Sequence, residues 1–220
     1  LGLDRRSALS FGAGMSAAYV FVHLMPELHA SRGAFVESVS RSLRYEGMAI
    51  YYVALVGFLV FYALDEMRAR LREGGEGGEG GKDGEVDPAF KLHIGGFAAY
   101  VGLMAYLLVH NLEDTTMATA LYAVPIAFHF LSADHSLRSE HGAAYDRIGR
   151  PLLAAMSLLG WGVGLLVALP TPIVALLVAF ISGAIIMNNS IMELPSEKDA
   201  RFIPFILGGL VYGAILLPLG

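Results

Sequence analysis

Residues 92–109 contain no Asp, Glu, Lys or Arg, and they lead straight into the string Val-His-Asn-Leu-Glu-Asp, which sets His110, Asn111, Glu113 and Asp114 side by side. A helix needs about 20 consecutive apolar residues to cross roughly 30 Å of hydrocarbon, so an apolar run of this length constrains the chain more than any other feature. Ionisable groups in or beside hydrocarbon are costly, and a chain that keeps four polar groups together there normally uses them. A helix end emerging into water is the plainer alternative.

Seven apolar segments of this kind can be marked, at 8–28, 48–64, 92–116, 117–137, 152–169, 173–194 and 202–217. They are long, continuously apolar and not alternating, which predicts an all-α polytopic helix bundle and not a barrel. Composition agrees: charged residues make up only 16%, against about a quarter in soluble domains, and mean hydropathy is +0.58. The absence of cysteine excludes disulfides and thiolate metal ligands. No cleavable signal peptide is evident, and the chain begins at Leu1, so further residues are expected upstream.

If the loop after the first segment faces outward, that side holds only Arg32, Arg41 and Arg44, while the other twelve basic residues lie opposite. The positive-inside bias therefore predicts a cytoplasmic N-terminus and an outward C-terminus, in the cytoplasmic (plasma) membrane. Residues 72–87, with their repeated Glu-Gly-Gly, cannot bury apolar surface and read as a mobile acidic cytoplasmic linker inside a single membrane domain spanning 1–220.

Polar residues recur at helical spacing within the apolar segments. Ser16, Tyr19, His23 and Glu27 share a face in the first, and His23 with Glu27 has the i, i+4 spacing that lets one helix offer nitrogen and oxygen to one cation. Tyr106, His110 and Asp114 form a similar stripe in the third. His129 lies in the fourth, where Asp134, Arg138 and His141 read as a salt-bridged cap at the cytoplasmic end, with Asp134 and Arg138 one turn apart. The sixth holds Ser182, Asn188, Asn189 and Glu193, either completing a polar site or bonding helix to helix. His110 and His129 reach the same depth only if the turn between their segments lies near Leu121; a turn at 114–116 separates them by more than about 10 Å.

In their order these features resemble the ZIP family of divalent metal transporters. The resemblance rests on Gly12 to Gly14 with His-Leu-Met-Pro-Glu at 23–27, a variable linker, His110-Asn111, His129, and Glu193 followed by Pro195. It spans nearly the whole chain and implies helices two to eight of an eight-helix fold, with the first absent here. It also implies a metal path built from two ligand motifs. His110 and Asn111 match the start of the first motif, Asp114 replaces its glutamate and Glu113 stands at its proline. His129 matches the histidine of the second, where Ser132 and Ala133 replace the proline and glutamate. These departures leave one metal position and weaken a paired site.

The expected function is transport of a divalent cation, Zn2+ first, with iron or manganese as alternatives. The expected ligands are His110, Asp114 and His129; Asn111, Glu113, Asn189 and Glu193 are secondary, and His23 and Glu27 guide ions on the outer side. Imidazole ligates only when neutral, so binding should weaken as pH falls through the histidine range, about 6.5. The expected partners are the metal ion and the lipid bilayer, with a homodimer left open and no nucleic acid. Alternatives are an intramembrane zinc-dependent hydrolase and a ZIP-like metal-binding homologue without transport. A retinal protein fits poorly because the last segment has no lysine.

Overall fold

The computed structural model describes residues 4–39, 46–74, 87–110, 116–190 and 201–217, without the side chains at 5, 46, 72–74, 116–126, 128, 129 and 132. Every regular element among them is helical. The elements are α1 (Arg5–Tyr19) and α2 (Met25–Ser38), joined by a π-helical turn at Val20–Leu24, then α3 (Glu46–Gly74), α4 (Pro88–His110) and α5 (Thr116–Ala144). A second π-helical turn, Tyr145–Gly149, leads into α6 (Arg150–Leu166), and α7 (Thr171–Asn188) and α8 (Phe202–Leu216) follow. Five helical stretches, Arg6–Ser38, Gly47–Leu71, Pro88–His110, Ala133–Leu166 and Thr171–Asn188, are long and apolar enough to cross a membrane, and Phe202–Leu216 is a shorter apolar helix. These are the marks of a multi-pass membrane protein.

Both π-helical turns end two residues before a proline, Pro26 and Pro151. Proline has no N–H for the carbonyl four residues back and its ring crowds that carbonyl; a wider turn relieves both problems without ending the rod. Within α5, Gly142 takes φ 51° and ψ −126°, a backbone conformation that suits glycine, and the rod bends there. The expected segments 117–137 and 152–169 thus belong to α5 and α6, which are connected through this bend and the second π-helical turn.

Three parallel helix pairs organise the bundle. A methyl group on Gly14 would overlap Phe205 O, and one on Gly208 would overlap Phe11 O, so α1 and α8 touch backbone to backbone. Gly57 meets Phe180 O and Gly183 meets Ala54 O where α3 lies on α7, and Gly160 meets Gly102 O where α4 lies on α6. Without a hydrophobic drive between helices in lipid, close van der Waals contact of this kind is what holds membrane helices together. Because α4 and α6 run parallel, the chain between them has to recross the bundle.

Helix α3 runs antiparallel to α4, with Leu64 packed at Gly96. Leu28 of α2 packs with Ile50, Ala54, Ala175 and Ala179, near the starts of α3 and α7. The end of α3 and the starts of α4 and α6 therefore lie at one end of the bundle, called here the linker end. The start of α8 is tied to that of α1, where the Arg201 N–H donates to Ser10 Oγ at 3.0 Å. The main core includes Phe61, Ile94, Phe97, Tyr100, Ile181 and Ile185. Large apolar side chains point outward instead on α6 and α8, Leu166 being 86% and Phe202 76% exposed, as surfaces facing lipid should be.

Of the residues expected to form the linker, 72–87, only the edges are among those described. α3 stays helical to Gly74, and Asp87 Oδ1 accepts the Ala89 N–H at 3.0 Å at the start of α4, so only 75–86 lie outside the described residues.

Candidate metal centre

Helix α4 buries one face, on which Phe90, His93, Ile94 and Phe97 follow one another at helical spacing. The imidazole of His93 is consequently carried inside among aromatic rings, its side chain only 5% exposed. Near the end of α5, just before the bend at Gly142, Glu140 and His141 meet it. His93 Nδ1 lies 2.8 Å from His141 Nε2 and 3.7 Å from Glu140 Oε2, and one ligand atom from each residue lies within 4.8 Å of the others. The edges of Phe90 and Phe97 fix the two rings, with centroids 5.1 Å from His141 and 5.2 Å from His93.

Two imidazole nitrogens 2.8 Å apart share one proton between them. A metal ion can take the place of that proton: tetrahedral Zn–N bonds of about 2.0–2.1 Å put two ligand nitrogens about 3.3 Å apart, half an ångström wider than here. Two nitrogens and a carboxylate oxygen suit zinc and neighbouring first-row ions. The group His93, Glu140 and His141 could hold a metal ion.

Arg68 of α3 donates one Nη to Glu140 Oε1 and the other to Asp65 Oδ1, one turn earlier in its own helix. Beside the trio is a cavity of about 10 Å³, room for about one water, lined by Asp65, His93 and Asn188 among others. Asn188 is 3% exposed, and its Nδ2 has no hydrogen-bond partner among the described residues. A second cavity, of about 30 Å³, lies further along the bundle between Tyr19, Glu27, Met104 and Ser182. From Ser182 to Asn188 is six residues of α7, or about 9 Å of rise, so the two cavities are stacked along the interior.

The residues nominated from sequence are spread along the bundle. His23 Nε2 is 3.7 Å from Glu27 Oε2, each side chain about a fifth exposed, and the His23 ring stacks on Tyr19 with centroids 5.3 Å apart. This local pair is present as expected, and Glu27 faces the second cavity. His110 is exposed at the far end of α4, its ring 4.8 Å from that of Tyr106. Tyr106, expected in the ligand stripe, accepts the Leu169 N–H and donates to Val167 O, closing the end of α6. Asn189 is buried at the linker end, opposite His110. Asn111, Glu113, Asp114 and Glu193 lie outside the described residues, as does the side chain of His129.

Leu121 falls within α5, which begins at Thr116, so the turn needed to set His110 and His129 at one depth is not there. His129 is thirteen residues into α5, about 20 Å along it. The expected Asp134–Arg138 pair is also replaced. Asp134 accepts from Arg150 Nη2 at 2.7 Å and from the Tyr145 hydroxyl at 2.8 Å, while Arg138 lies 3.3 Å from Asp146. The bend at Gly142 swings the start of α6 back toward α5 and brings these closer partners. His141, read from sequence as part of that cap, faces His93 instead.

His93, Glu140, Asp65 and Arg68 had not been singled out from sequence. The available signals were a histidine inside a run free of charged residues and an adjacent Glu-His pair, but nothing local linked positions nearly fifty residues apart. No protein-family model, no curated protein and no solved structure matches the chain.

Proposed function

We propose that the protein moves a divalent cation, zinc foremost and iron or manganese as alternatives, across a membrane through the interior of its helix bundle. The observation that carries this reading is the trio His93, Glu140 and His141, contributed by two helices, with His93 buried and its two partners half-buried, within a bundle that has five helices of membrane-crossing length. Buried ionisable groups at such a place are expensive and are expected to serve an ion path. The stacked cavities support it, since Glu27, Ser182, Asn188 and His93 then line successive depths. Ligands of mixed softness would replace the hydration shell, and movement of helix pairs would open the site to each side in turn.

In this reading the chain is a divergent ZIP-like protein with seven crossings and the linker end in the cytoplasm. Arg68, Arg70, Arg138, Arg147 and Arg150 all lie on helices at that end, as the positive-inside rule requires. The trio would then be an inner station, with His23 and Glu27 toward the outer side. A zinc-dependent hydrolase would also leave one metal position open and needs space for a substrate; the cavity lined by His93 holds about one water, and the larger one of about 220 Å³ is lined by Phe97, Asp134, Tyr145 and Arg150 but by none of the trio.

The test is zinc, iron and manganese uptake by proteoliposomes, with bound-metal analysis of the same preparation. Uptake that His141→Ala removes supports transport through the trio. Metal bound at the trio without uptake leaves a binding protein, and no metal bound in either assay ends the reading.

A further inference from the structure

Arg68 reaches into the trio from a third helix. Its side chain is 17% exposed and that of Glu140 13%, so the pair is largely shielded from solvent. The guanidinium is divided between two carboxylates, and its Nε is buried without a hydrogen-bond partner among the described residues. An unmade bond at a buried charged donor has a cost, so neither carboxylate alone satisfies this arginine. Glu140 is divided in the same way: Oε1 accepts from Arg68, while Oε2 lies 3.7 Å from His93 Nδ1, facing the histidines.

A divalent ion among His93, Glu140 and His141 would draw on the same carboxylate and stand beside the guanidinium, cation against cation in a poorly solvated site. Asp65, one turn before Arg68 on α3 and already bonded to it, offers a place to go. With neutral imidazoles the group of Asp65, Glu140 and Arg68 carries a net −1 when empty and +1 with a divalent ion, so the metal reverses the sign of the site without enlarging its charge.

Resting on the reading of the trio as a metal site, we propose that Arg68 is a tethered counter-cation: it occupies Glu140 when metal is absent and is displaced to Asp65 when a divalent ion binds. The ion pair between α3 and α5 then exists only in the metal-free state. Metal entry unlatches α3, together with the α7 packed along it, from α5. The latch also sets affinity, because every binding event has to break the Arg68–Glu140 pair, and a charge-assisted bond to a shielded carboxylate is among the stronger ones a side chain makes.

The experiment is zinc titration of the full chain in lipid nanodiscs, by competition with a chromophoric chelator, on the parent, Arg68→Gln, Glu140→Gln and the double variant. Arg68→Gln should bind zinc about tenfold more tightly, the change expected when a competing pair of roughly that strength is removed. In the Glu140→Gln background the same substitution should give no such gain, because the latch acts through that carboxylate. Arg68→Lys, which keeps the charge but cannot fork between two carboxylates, should fall between parent and Gln and serves if the Gln variant does not fold. Unchanged or weaker binding on loss of Arg68, while His93→Ala abolishes binding, overturns the latch and leaves the site. A gain that persists undiminished in Glu140→Gln also overturns it, as a general effect of charge. If His93→Ala and His141→Ala bind zinc like the parent, it is the metal-site reading that has failed.

Discussion

Two histidine–carboxylate groups occupy different parts of this bundle. His23 and Glu27 are one turn apart on a single helix, 3.7 Å from each other and each about a fifth exposed. His93, Glu140 and His141 come from two helices, with 2.8 Å between the imidazole nitrogens and His93 5% exposed. The first group exists wherever its helix forms. The second exists only where α4 and α5 are packed, and it is also tied to α3 by Arg68. A pair made by helical period forms with its own helix, whereas a group made by packing is coupled to the position of several helices.

That contrast breaks first at the ligands. His93→Ala or His141→Ala should weaken zinc binding by at least about a hundredfold, the upper end of what losing even an outer partner of a metal ligand does, while His23→Ala should leave the number of tightly bound ions unchanged. Equilibrium dialysis with metal analysis reads both, and loss of an equivalent in His23→Ala would reverse the ranking of the two groups.

A second test sharpens the dependence on packing. Gly183→Val would drive a side chain into the backbone at Ala54 O and should cost about 1–3 kcal/mol or more in overpacking. Thermal unfolding in detergent should fall accordingly, and zinc binding at the trio should weaken with it although no ligand has changed. Binding unaffected by loss of this helix contact would mean that the trio does not depend on α3 and α7.

Asp134→Ala is a milder probe, since its partner Arg150 and the Tyr145 hydroxyl lie beside the trio and not in it. It should lower the unfolding midpoint by a few degrees while metal stoichiometry and affinity stay near those of the parent; a loss of metal would extend the site to the bend. The smallest effect is expected from shortening the linker between residues 74 and 81. Its acidic residues offer only salt-screened attraction, so tightly bound metal should be unchanged, and loss of one equivalent would place a ligand there.

The helical class, the membrane-length apolar runs and the His23–Glu27 pair were legible in the chain, because hydropathy and the 3.6-residue period are properties of neighbours. The ion pairs around Asp134 were not. Sequence spacing favoured Arg138 one turn away, but the bend at Gly142 brings Arg150 closer. His93 was overlooked for a related reason: in a run without Asp, Glu, Lys or Arg a lone histidine has no local partner to mark it, and its partners are 47 and 48 residues further on.

Local chemistry thus decided that this chain forms long apolar helices and which residues share a helix face. Tertiary structure alone decided that α4 meets the end of α5, that His93 and His141 face each other, and that Arg68 reaches Glu140 from a third helix. Glycine contacts at Gly160 and Gly183 set how closely the helices approach and in what register. In a bilayer, where hydrophobicity does not distinguish one helix neighbour from another, that shape matching selects the partners and so determines which polar groups converge.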